Sequence, residues 1–136
     1  MANKNDRLMF VDASVLGFKK DVGFVDSNRN FMAAQNLQLT LIEAEETENK
    51  TYEEVISAGY NAVSAEIDFI TNVLKLNDRQ VETLLDLPRD EAETLAMSIV
   101  SKLMHWDLVI EQARLAEELE AEAQAEEDED TVEEDT

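Results

Sequence analysis

The sequence predicts a mainly α fold: a small helical domain with a short extended or β-like N-terminal region and a disordered acidic C-terminal tail. Two apolar stripes and one gradient of charge carry that prediction. The first stripe is Ile56, Tyr60, Val63, Ile67, Ile70 and Leu74, and the second is Ala92, Ala96, Ile99, Leu103, Trp106, Ile110 and Ala113. Spacings of four and three repeat every seven residues and keep one side of an α-helix apolar along its length. Such a face must be covered by another helix, from this chain or from a partner. Glu117 takes the next repeat position, so the second stripe stops there. The charge gradient is just as clear: 32 acidic against 11 basic residues give −21, and residues 111–136 alone hold 13 acidic and one basic residue. The mostly acidic run from Glu126 to Asp135 cannot bury enough apolar surface to order itself, which predicts disorder there.

Taken in order, residues 1–50 form an N-terminal region of short strands or an arm followed by a helix, 51–116 the helical core, and 117–136 the acidic tail of a single domain. Short clusters at Leu8–Val11, Val15–Phe18 and Val22–Val25 are broken by Asp12, Gly17, Lys19, Asp21 and Gly23. Their length and their Val and Phe content predict strands or extended segments, and a buried irregular arm reads the same way. Across Phe31–Glu48, the alternation Leu37, Leu39, Leu41 fits a strand, whereas Phe31, Ala34, Leu37, Leu41 and Ala44 fit a helix. The surrounding Ala, Gln and Glu favour the helix. Thr51 with Glu54 forms a capping box that opens a helix running to about Leu74. Gly59 weakens it by roughly 1 kcal/mol relative to Ala, a cost that close approach of another backbone would explain. Asn77 with Gln80 repeats the capping signature before a short helix whose inner face is Val81, Leu84 and Leu85, and Pro88 ends it. Asp90 and Glu91 then favour the start of a last helix, which passes through His105 and Trp106 unbroken and frays near residue 125.

Several function classes are disfavoured. At 136 residues the chain suits one domain with a modest core. Having no cysteine, it can form neither a disulfide framework nor a Cys-based zinc site. The polar start and the brief apolar run Leu8–Val11 read as neither signal peptide nor membrane span, so the chain reads as a soluble protein. A negative field of this size repels phosphates and acidic lipids, so no nucleic acid or membrane partner is expected. His105 is the one histidine. Ser101 lies one helical turn before it, but Asp107, two residues on, turns away, which gives no triad. The acidic end lacks the ordered glycine and alternating ligands of a calcium loop. Asn49, Lys50 and Thr51 spell a glycosylation sequon in spelling alone. Met97 and Met104 read as core residues of the last helix. No catalytic, cofactor or metal residues are predicted.

The segment Asp68–Trp106, DFITNVLKLNDRQVETLLDLPRDEAETLAMSIVSKLMHW, resembles the tail assembly chaperones of long-tailed bacteriophages infecting Gram-positive hosts. The likeness lies in a helix ending in FITNVLKLN, the short helix NDRQVETL, the helix TLAMSIVSKLM, and an end rich in Glu and Asp. The resemblance implies a helical protein that coats the long apolar tape measure protein before the tail tube forms, and that is absent from the finished virion. It also implies a longer, frameshifted form that recruits the tail tube protein.

The reading is therefore a non-enzymatic binding protein, needing no cofactor, with a tape measure protein as partner and self-association into a homo-oligomer. The expected partner-binding residues are Ile56, Tyr60, Val63, Ile67, Ile70, Leu74, Ile99, Leu103 and Trp106. Two rivals are an acidic DNA mimic that inhibits a host DNA-binding enzyme, and a small joining protein retained in the virion. The first needs carboxylates arrayed on a folded surface, whereas most here lie in the tail.

Overall fold

The computed structural model describes residues 7–134, without the side chains of residue 107 and residues 126–134. Two compact units are present, residues 1–104 and residues 105–136. The first opens with strands β1 (Leu8–Val11) and β2 (Val22–Val25), antiparallel, with Phe10 opposite Gly23. A Cβ on Gly23 would stand 3.1 Å from the Phe10 ring, so the glycine gives that ring its place. Between the strands, Ser14–Leu16 form a 3₁₀ turn where an extended segment was expected. Two local effects outweigh the apolar run: the Asp12 carboxylate accepts from the Ser14 N–H at 2.9 Å, and Gly17 closes the turn at φ 93°. That hydrogen bond also holds the Asp12 carboxyl below its ordinary range.

Helix α1 (Asn28–Glu45) confirms the helical reading of its segment and begins three residues before Phe31. Its start is set by Ser27, whose hydroxyl accepts from the Asn30 N–H at 3.2 Å. Leu37 is buried while Leu39 is exposed, which accounts for the strand-like alternation. Helix α2 (Tyr52–Leu74) starts and stops as the sequence predicts. At its start the Thr51 hydroxyl accepts from the Glu54 N–H and donates to the Glu54 carboxylate, so that carboxylate meets the hydroxyl instead of reaching back to the backbone. Lys75, at φ 54°, ends the helix, and the Leu76 N–H returns to the Thr71 carbonyl at 3.0 Å.

Helix α3 (Asp78–Leu85) has the full reciprocal box, with both Asn77–Gln80 bonds at 2.9 Å. Leu84 is its buried anchor and Val81 is half-buried, whereas Leu85, expected inside, is exposed. One anchor and its neighbour span the inward arc of a two-turn helix, and Leu85 is rotated beyond it. Pro88 then leads into helix α4 (Arg89–Leu103), with Asp90 and Glu91 in its first turn. Helix α4 packs against both α1 and α2, and α2 also meets α3 and β2. Ile70, Leu84, Ile99, Val100 and Leu103 are at the centre of this core.

The predicted unbroken last helix is corrected. Helix α4 stops at Leu103, His105 takes φ 54°, and helix α5 (Trp106–Glu134) starts afresh, with the Leu108 and Val109 N–H groups donating to the His105 carbonyl. The apolar repeat spans the junction because its spacing is indifferent to a one-residue left-handed step, which histidine is among the residues able to take. Within the second unit, Leu108, Ile110, Leu115 and Leu119 are exposed. The assigned helix reaches Glu134. The expectation of disorder from Glu126 falls where side chains lie outside the described residues, as does the reading of the polar start at residues 1–6.

Candidate functional site

The buried face of α2 is not centred on the predicted stripe. It is Ala62, Glu66, Phe69 and Val73, with Ile70 and Leu74 on its flank, so the true centre lies one residue, about 100° of helix arc, away. Glu66 hides this register in the sequence, because a carboxylate in the middle of a row makes the row look polar. It is fully buried, and its Oε1 accepts from Nη1 of Arg89 at 3.1 Å. Its Oε2 is buried with no hydrogen-bond partner. Arg89 is the first residue of α4, so this pair ties the middle of α2 to the start of α4.

The stripe that the sequence displays is the flank of this face, and it changes character along the helix. At the C-terminal end Ile70 and Leu74 are buried; Ile67 and Val63 are half-buried; Ile56 and Tyr60 are 53% and 74% exposed. Tyr52, one turn before Ile56, is exposed as well. Gly59 lies on this open stretch, where a Cβ would meet nothing within 4 Å. Among the described residues, nothing makes the backbone approach expected there. On α4, Ile99 and Leu103 are fully buried in the first unit, while Trp106, in the second unit, is half-buried. The predicted residues thus fall into an accessible group led by Ile56 and Tyr60, and a group that builds the core.

Helix α1 contributes residues that the sequence reading missed. Leu39 and Ile42 are exposed, and Leu41 is half-buried. The seven-residue spacing of Met32 and Leu39 on an exposed face was the available signal. Charge surrounds this end of the hairpin formed by α1 and α2: residues 43–54 include Glu43, Glu45, Glu46, Glu48, Glu53 and Glu54, with Lys50 as the single base. The Lys50 ammonium donates to the Glu43 carbonyl at 2.6 Å. Met97 and Met104 are half-buried. The Ser101 hydroxyl donates to the Ser98 carbonyl at 2.9 Å. Among the described residues no cluster of three or more metal-ligating side chains occurs, and no helix is long and apolar enough to cross a membrane.

The first unit thus leaves an apolar helix flank open near exposed carboxylates, the kind of surface on which proteins bind one another. A family model of phage tail assembly chaperone proteins matches residues 13–117, and the chain belongs to that family. The match includes all of α1 to α4 and ends at Glu117, where the apolar repeat stops. It also takes in most of the N-terminal region, well beyond Asp68–Trp106. No curated protein and no solved structure matches the chain.

Proposed function

We propose that this tail assembly chaperone binds and shields the apolar tape measure protein before the tail tube is assembled, without catalysing a reaction. The observation that carries the reading is the open half of the α2 stripe, Ile56, Tyr60 and half-buried Val63, on a chain of this family. A long apolar helix aggregates unless its surface is covered, and an exposed apolar helix flank is a surface that covers it. Ile70, Leu74, Ile99 and Leu103 are buried and belong to the core that holds this helix in place. The net charge of −21 keeps the complex repulsive toward others of its kind.

The protein acts in the host cytoplasm, leaves before the virion is complete, and self-associates along its target. A longer frameshifted form would add contact with the tail tube protein. Co-expression is the test. With this chain the tape measure protein stays in the supernatant, and without it the tape measure protein pellets. Equal pelleting in both cases overturns the reading.

A further inference from the structure

The structure also bears on what kind of helix the open flank accepts. Helices α1 and α2 are antiparallel, since Thr40, Glu43 and Glu46 meet Ala58 and Asn61 at one end, while Asn28–Asn30 lie with Asn72–Lys75 at the other. Thr40, Glu43, Ala58 and Asn61 share one side of the contact line. Helical rotation puts Ile42 of α1 and Ile56 of α2 on the opposite side, with Leu41, Gly59 and Val63 between them. The result is a groove about three helical turns long from Tyr52 to Val63. It continues the stripe whose other half the chain already covers at Ile70 and Leu74. Its floor includes a residue with no side chain and open space above it. Residues 43–54 at this end of the hairpin hold six acidic residues against one base, with Glu45 and Glu48 among the exposed ones.

We propose that this groove takes a partner helix whose apolar stripe is flanked by Lys or Arg, and that Gly59 is the point of closest backbone approach. Charge decides between occupants. Helix α5 of a second copy offers Leu108, Leu115 and Leu119, but it brings Glu111, Glu117 and Glu118 toward the acidic end of the hairpin. A basic-flanked helix gains attraction from the same end. A helical glycine with no neighbour among the described residues costs stability, and close packing of another backbone gives that cost a use. The identity of the natural partner rests on the chaperone reading; the chemistry of the groove does not.

The test uses the full chain and two synthetic 18-residue helical peptides sharing one Leu/Ala face, one flanked by Lys and the other by Glu, titrated at low salt. The Lys-flanked peptide is expected to bind at least about 30-fold more tightly than the Glu-flanked one. Gly59→Leu and Ile56→Glu should each weaken that binding about tenfold or more, with the melting temperature raised by the first and held by the second, and Leu85→Gln, on α3, should not weaken it. Equal affinity for both peptides, or Lys-peptide binding untouched by Gly59→Leu, overturns the proposal. A groove that passes these tests while the tape measure protein still pellets removes the chaperone reading and leaves the groove. If Gly59→Leu solubilises the tape measure protein as well as the parent chain does, the groove falls and the chaperone reading remains.

Discussion

Glu66 shows how one residue fixes the packing of a small core. A carboxylate removed from water is tolerated only with a partner, and Arg89 supplies it at 3.1 Å while its own side chain stays 54% exposed. Arg89→Ala should therefore cost about 2 kcal/mol in urea unfolding, less than for a fully buried pair because water reaches the guanidinium. Replacing both residues, Glu66→Leu with Arg89→Ala, should recover most of that loss. Additive losses would show that the pair is not coupled. Lys75 makes a second residue-scale case: at φ 54° a side chain is strained, so Lys75→Gly should stabilise by up to about 1 kcal/mol. Neither feature is legible in the sequence. A carboxylate within an apolar row reads as an interruption, and a lysine after a helix reads as a surface residue.

Helix α2 is buried along its C-terminal half and open along its N-terminal half, and substitutions should separate the two. Ile99→Ala or Leu103→Ala, in the core that covers its C-terminal half, should cost about 3 kcal/mol. Ile56→Ala and Tyr60→Ala, on the open half, should change thermal stability by less than about 0.5 kcal/mol and lower retention of the tape measure protein in solution. Comparable destabilisation by both pairs would mean the open half is covered within the chain. The elements themselves are legible where a local rule has one answer: the Asn77–Gln80 box, the start at Thr51 and the end near Leu74 all stand as read. Two rules left more than one answer. A four-three spacing marks a face only to within one residue, which is why Ala62, Phe69 and Val73 went unseen. The same spacing passes through a left-handed step without a mark, which hid the break at His105.

At the scale of the whole chain, negative charge is weighted toward the C-terminal end. Residues 117–136 hold 12 acidic and no basic residues, so deleting them moves the formal charge from −21 to −9 while both stripes remain. The helical signal and cooperative melting of residues 1–116 should survive, and solubility should fall. High salt should reproduce part of that fall, since screening limits the tail's field to about 8 Å or less. Loss of the cooperative transition would show instead that the acidic segment packs on the core. Light scattering from micromolar to near-millimolar protein should show mass rising with concentration, as self-association through open apolar surface requires. A constant monomer mass would remove self-association from the account.

The central claim is that the open half of α2 holds the tape measure protein. Amide hydrogen exchange on the complex, set against the free chain, tests it most directly. Protection should rise by about tenfold or more across residues 52–63 and stay unchanged across residues 95–103, already sealed in the core. Protection that rises only in α5, with residues 52–63 exchanging as in the free chain, would contradict the claim.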